Sequence, residues 1–496
     1  LRRLIYDSTG SQYDEKTVSR PHQLEGTAFA LYKRRSLLLY WMRLGKSKMA
    51  LDWSMHLRRA GLLDRGRKGL ILAHAPIACQ VWRTQAALHS DLDIRTVESY
   101  QDDSREDQLL DALDSDCDLI VMPPTTVQLL FTIKKLSRKE EPKLYPNRDW
   151  LKIAAHAFSH AIIDEIHIYS NPWALRTELV RLLITECKQR VGLTGTPIGR
   201  NPFDIWAQAA LIDDGATFGY NFPFFREAFS TKKKGFKGFT EMVFDKRKMP
   251  AFQDKLGGLA LAYGKDEVRS AEVFAGDVAL TMPEEQAAAY EEVIDKAVNL
   301  DGYDEIEIKA TFHRLRQVAA GYLPFDHDKH GRMTVHFDGS VKLRWLAEML
   351  DTLPAGIQLL IFHEYTHSGE LICKALAQAK LTHAWLRGGD DRRGDKVAAF
   401  QSGEAQVLVA QSRVGGTSLD LPQADYVLMF ECPVSPRDYE QAIARPMARG
   451  DRPLMLDHLI AAPVDRKILA FIKEGRDLSD EIIRSGRKFF SDLRAK

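Results

Sequence analysis

Short apolar runs recur along this chain, each followed by a stretch of helical spacing, and this rhythm restricts the fold more than any other feature. "SLLLYW" (36–41), "KGLILAH" (68–74), "CDLIVM" (117–122), "AIIDE" (161–165) and "RVGLTG" (190–195) read as strands. Residues 46–60 read as a helix, with Met49, Trp53 and Leu57 spaced by four and Gly61 as its stop. Apolar strands alternating with helices form a parallel sheet covered on both faces, and its ligands collect at the carboxyl ends of the strands. The rhythm breaks between about 215 and 330, where the chain turns aromatic and basic and then helical, as in "PEEQAAAYEEVIDKAV". It resumes with "IQLLIF" (357–362), "AWL" (384–386), "QVLVAQ" (406–411), "YVLMFE" (426–431) and "PLMLDHLI" (453–460). The expectation is α/β throughout. A first domain spans 1–215, a helical insertion 216–330, a second domain 331–475 and a terminal helix 476–496.

Two short motifs point to chemistry. Gly45-Lys46-Ser47 follows the first strand and opens the first helix, the setting of a phosphate loop. Lys46 is placed to reach the β- and γ-phosphates of a nucleotide and Ser47 to ligate magnesium. A full G-x-x-x-x-G-K-[ST] loop would have glycine at position 40, where Tyr40 stands, and position 43 holds Arg43. About 120 residues on, Asp164-Glu165-Ile166-His167 ends a buried strand. Adjacent carboxylates there suit magnesium, held by Asp164, and activation of water, with Glu165 as general base. Either motif alone is also what a solvated loop contains; together, in this order, they favour a nucleotide site.

Composition narrows the class further. Five cysteines (Cys79, Cys117, Cys187, Cys373, Cys432) lie far apart without a C-x-x-C pair, against zinc and disulfide frameworks and in favour of a reducing cytosol. No apolar run approaches the roughly 20 residues of a membrane span, and the opening stretch lacks the apolar core of a secretory signal. The formal charge of +1 comes from 69 basic and 68 acidic residues, so a nucleic-acid partner must be held by local patches. Candidates are Lys33-Arg34-Arg35, Lys134-Lys135 with Arg138-Lys139, "TKKKGFK" (231–237) and "DKRK" (245–248), each of which also reads as a solvated face.

A third element, "GLTGTPIGR" (192–200), resembles motif III of superfamily-two helicases and translocases. Further ordered stretches resemble the Swi/Snf-type DNA-dependent ATPases in a compact bacterial or phage form. "RPHQLEG" (20–26) is similar to that family's opening, "LAHAPIACQVW" (72–82) to motif Ia, and "LLIFHEYTHSGELI" (359–372) to motif IV. "VLVAQSRVGGTSLDLPQADYVLMFE" (407–431) resembles motif V and "DYEQAIARPMARGDR" (438–452) motif VI. The resemblance covers roughly 18–475. It implies two RecA-like domains, ATP and Mg2+ as cofactors, DNA (duplex or branched) as partner, and a cytoplasmic setting in a bacterial or phage-infected cell.

The same resemblance implies roles for individual residues. Arg20, Gln23, Leu44, Gly45, Lys46, Ser47, Lys48 and Gln441 would bind ATP, with Gln23 reading the adenine edge. Asp164 and Ser47 would hold the metal. Arg445 and Arg449 would act on the γ-phosphate, although the family spacing puts the second arginine at 448, where this chain has Ala448. His167, Thr194, Gly195, Thr196, Gly416 and Asp420 would couple the nucleotide to motion. Pro76, Thr125, Thr126, Thr417 and Ser418 would contact nucleic acid, the hydroxyl pairs reading equally as helix caps. Two other readings stay open. One is a strand-separating helicase on branched DNA or RNA; the other is a nucleic-acid-binding scaffold with a weakened ATPase.

Overall fold

The computed structural model describes the chain apart from positions 43, 65, 75, 98–101, 128, 130, 135–142, 147–155, 199–201, 235–239, 265–271, 300–304, 328–330, 355, 389–391, 413–420, 448–451, 486 and 495–496. Contacts divide it into two compact units, Leu1–Val268 and Arg269–Lys496.

The first unit is built on a seven-stranded sheet of β1 (Arg35–Tyr40), β2 (Lys68–Leu72), β3 (Ile94–Thr96), β4 (Leu119–Met122), β7 (Phe158–Ile163), β8 (Gln189–Leu193) and β11 (Ala260–Tyr263). Two hairpins lie outside it, β5 (Phe131–Lys134) with β6 (Lys143–Pro146), and β9 (Ser230–Lys234) with β10 (Thr240–Phe244). The sheet order is β11-β1-β8-β7-β2-β4-β3, parallel throughout. Its strands are apolar on both faces because both are covered. Leu37, Leu39, Leu70, Leu72, Met122, Ala161 and Ile163 pack into one core, whereas Leu38, Tyr40, Ile71, Val121 and Ile162 pack into the other.

The second unit holds a six-stranded sheet of β12 (Val273–Ala279), β15 (Leu359–His363), β16 (His383–Leu386), β17 (Val407–Gln411), β18 (Tyr426–Met429) and β19 (Leu454–Ile460). Its order is β12-β19-β18-β15-β17-β16, again parallel. The antiparallel hairpin of β13 (Tyr322–His327) and β14 (Gly331–His336) stands apart from it. Two parallel α/β sheets are thus present, as tandem RecA-like domains require.

The segment 216–330 is shared between the units. β9, β10 and β11 belong to the first unit, and β12, the helices Glu284–Asn299 and Glu305–Ala320, and β13 to the second. Towards the chain's end lie the helices Leu478–Ser485 and Arg487–Ser491, and Leu478, Ile482, Phe489 and Phe490 join the core formed with the two long helices. Among the described residues no helix is long and apolar enough to cross a membrane.

Candidate active site

Strand order explains how residues more than a hundred positions apart meet. β8 and β7 lie between β1 and β2, so the carboxyl ends of β1, β8 and β7 are neighbours. At about 4.8 Å per strand, the three loops leaving them fall within roughly 10 Å.

The loop after β1 ends at Gly45, which has φ +80° and caps the helix Lys46–Arg59. Glycine adopts this left-handed conformation without penalty, and a Cβ there would collide with the Gln23 amide. Gln23 is fixed in turn. Its Oε1 accepts from the Arg20 N–H at 2.9 Å, and its Nε2 donates to the Leu44 carbonyl at 3.2 Å. His22 Nε2 lies 3.1 Å from the same carbonyl, so Leu44 serves through its backbone while its side chain is buried. Lys46 Nζ donates to the carbonyls of Tyr40 at 3.0 Å and Trp41 at 3.5 Å, along the inside of the loop. Ser47 is half-buried in the first turn of the helix.

At the end of β7 the Asp164 N–H donates to the Leu72 carbonyl at 3.0 Å. Asp164 Oδ1 accepts from the Glu165 N–H at 3.0 Å, and Oδ2 from the Trp82 indole at 3.0 Å. Burial and the neighbouring Glu165 carboxylate push Asp164 above the usual carboxylate range. Burial acts the same way on Glu165, but the His167 hydrogen bond and the Lys46 charge outweigh it and hold that carboxyl well below its usual value. Such divergence between adjacent carboxyls marks acid–base sites. Glu165 also sits at φ +45°, ψ +49°, at the head of the short turn Ile166–Tyr169. For a residue with a side chain this left-handed backbone costs about 1–2 kcal/mol, a strain that concentrates at functional sites.

The loop after β8 closes the arrangement. His167 Nδ1 stands 3.1 Å from Glu165 Oε2 and 2.8 Å from Thr194 Oγ1, which accepts the Thr196 N–H at 3.1 Å. Gly195 lies against the phosphate loop: a Cβ there would stand 3.2 Å from both Met42 N and the Tyr40 carbonyl oxygen. One chain of contacts therefore runs from the carboxylate pair to the loop that carries Lys46. Among the described residues no group of three His, Cys, Asp or Glu side chains could hold a metal alone. One carboxylate and one hydroxyl, Asp164 and Ser47, fit an ion that completes its shell with water and phosphate oxygens, as magnesium does.

The surroundings of the other expected residues differ. Lys48 has its ammonium buried 2.6 Å from Asp52 and 3.5 Å from Glu15, inside an acidic pocket. Thr126 is fully buried with its hydroxyl unpartnered, whereas Thr125 beside it is exposed. Pro76 opens the helix Pro76–His89. In the second unit, Gln441 lies on the helix Pro436–Ala444, capped by Ser435, and Arg445 follows it, both half-buried. Arg43, Gly416, Thr417, Ser418, Asp420, Ala448 and Arg449 lie outside the described residues.

Sequence reasoning misses two site residues. Trp82 reads there only as part of a motif, yet a buried indole N–H needs an acceptor, and here that acceptor is Asp164. His74, just past β2, lies close enough to lower both Asp164 and Glu165 when charged.

Comparison with known proteins shows what the chain is similar to. Residues 341–450, all in the second unit, match the family model described as the helicase conserved C-terminal domain. A putative ATP-dependent helicase/translocase, YwqA of Bacillus subtilis (strain 168), is 25% identical over 232 residues, 42% of this chain and 25% of that protein. The bifunctional helicase and thymine dioxygenase JBP2 of Leishmania tarentolae is 28% identical over 171 residues, 34% of this chain and 15% of that protein. The chain thus aligns with a quarter or less of these relatives' lengths. The SWI2/SNF2 ATPase core of Sulfolobus solfataricus, solved in complex with dsDNA, aligns over 97% of this chain and 96% of that one, with 18% identity and a TM-score of 0.40.

Proposed function

We propose that this chain is a DNA-dependent ATPase of the Swi/Snf type that moves along duplex DNA. The observation that carries the proposal is the continuous arrangement of Lys46, Asp164, Glu165, His167 and Thr194 at three adjacent strand ends. A nucleotide's phosphates would lie at the amino end of the helix Lys46–Arg59, where N–H groups and the Lys46 ammonium favour anions. Asp164 and Ser47 would hold magnesium, which neutralises phosphate charge when bound. Glu165, kept ionised by His167 and Lys46, would take the proton of the attacking water. The Glu165–His167–Thr194 chain gives hydrolysis a route to the motif at Thr194–Thr196, which supports coupling to movement.

Phosphate release tests the reading, measured alone and then with duplex DNA, forked DNA, single-stranded DNA and RNA. Lys46→Ala should abolish release under every condition while nucleic-acid binding without ATP survives. Near-normal release by that variant would overturn the site. DNA with a duplex part, plain or forked, should stimulate the parent more than single strands or RNA; stimulation confined to forked DNA or RNA would favour a strand-separating helicase.

A further inference from the structure

The first unit carries aromatic rings that its own packing does not use. Phe218, Phe225, Phe229, Phe244 and Phe252 stack ring against ring in the core beneath. On the surface of the same region, Trp173 is 74% exposed, Tyr220 81% and Phe224 71%. Trp173 meets Phe222 edge to face, with centroids 6.5 Å apart and planes at 82°, and Phe222 leans on Trp206 at 5.4 Å. Such a T-shaped contact covers at most one face of either ring. Polar and small exposed residues, Asn171, Arg176, Gly219, Asn221 and Arg226, separate the projecting rings. They do not merge into the contiguous apolar area that a protein interface buries at its centre.

The surroundings are basic. Residues 226–248 hold eight Lys or Arg against three Asp or Glu, in a chain whose overall charge is only +1. Arg226, Lys232, Lys246 and Arg247 are exposed. Lys248 Nζ donates to the Ala228 carbonyl at 2.6 Å, which ties the basic turn to the carboxyl end of the helix Phe222–Phe229. At 1.5 Å per residue, that end is about 12 Å from the aromatic one.

Open ring faces beside excess positive charge fit unpaired bases on a phosphate backbone, since the bases stack and the cations neutralise phosphates. A duplex keeps its base faces stacked inside. We propose that Trp173, Tyr220 and Phe224 form a stacking platform for single-stranded nucleic acid, with Arg226, Lys232 and Lys246 serving its phosphates. This rests on the motor reading and deepens it: the substrate carries an unpaired segment, such as a gap, fork or overhang. Trp173 follows closely in sequence on the turn that carries His167, where Ser170 Oγ donates to the His167 carbonyl at 2.6 Å.

The test is fluorescence anisotropy of the full chain with labelled oligo(dT) and oligo(U), a duplex, and an abasic strand, each of about twenty nucleotides. The triple variant Trp173→Ala, Tyr220→Ala, Phe224→Ala should lose at least about tenfold in affinity for the single strands, with duplex affinity changed less than about twofold. The parent should prefer oligo(dT) to the abasic strand, and the triple variant should not. Trp173→Phe, which keeps a ring, should retain most of the binding lost in Trp173→Ala. Equal losses on duplex and single strand, unchanged binding, or a parent indifferent to the absence of bases would each overturn the platform, as would a protein ligand lost from a variant that still binds oligo(dT) normally. Phosphate release separates the two readings. Base-dependent binding without nucleic-acid-stimulated hydrolysis keeps the platform and removes the motor. Stimulated hydrolysis with ring-independent binding does the reverse.

Discussion

The ammonium of Lys48 sits among Asp52, Glu15 and, through Asp52, the hydroxyl of Tyr13, which donates to Asp52 Oδ2 at 3.0 Å. Lys48 and Asp52 are almost sealed from water, with side-chain exposures of 4% and 0%. Removing one member of such a pair strands the other charge, at a cost of about 3–5 kcal/mol, whereas replacing both with apolar groups is often neutral. Lys48→Met should therefore lower the urea midpoint strongly, and Lys48→Met with Asp52→Leu should recover most of it. Nucleotide affinity of the folded double variant should match the parent; a selective loss of affinity with stability intact would return Lys48 to the nucleotide site. The sequence already contains the distinction. Two positions on a helix are about 200° apart, so Lys46 and Lys48 leave opposite sides, and Lys48–Asp52 has the four-residue spacing of a helical ion pair. Thr126 is less legible. Whether a hydroxyl beside Pro124 points out or in depends on packing that no local pattern records.

Strands that are apolar on both faces announce themselves, which is why β1, β2, β4, β7 and β8 are readable from the residues alone. The edge strands β3 and β12 are not. β3 has three half-covered or exposed residues, and β12 alternates irregularly between half-buried and exposed ones, so neither carries a core signal. Strand order is equally hidden, because the length of a crossover does not say which neighbour a parallel strand will take. That order decides the site, since it sets β8 between β1 and β7 and Gly195 against the phosphate loop. Gly195→Ala should push the backbone at Tyr40 and Met42 by a few tenths of an ångström and misplace Lys46. We expect a drop of roughly tenfold or more in turnover, as small displacements of positioning groups produce, with the melting temperature little changed. Unaltered turnover would mean that the loop adjusts freely and that the contact has no catalytic weight.

Across the whole molecule, each unit buries a neutral histidine. Burial and the Arg58 charge hold His160 down at about 3, and burial holds His363 at about 4, against 6.5 for a free imidazole. Above about pH 6.5 both folded and unfolded chains keep these rings neutral, and pH has no effect through them. Below it the unfolded chain binds protons that the folded units refuse, so stability falls by up to about 1.4 kcal/mol per pH unit for each ring until the folded value is reached. Melting temperatures at pH 7 and pH 5 should show this loss, and His160→Gln should show a smaller one; an identical loss would assign the acid sensitivity elsewhere. Hydrolysis at this site depends above all on Glu165 in the proposed mechanism, its carboxyl held ionised next to Asp164 and Lys46. The most direct measurement compares Glu165→Gln with the parent for magnesium-dependent ATP binding and for phosphate release on duplex DNA. Binding should stay close to the parent and turnover should fall by roughly 10²–10⁴. Turnover close to the parent would contradict it, and so would a loss of nucleotide binding that matches the loss of turnover.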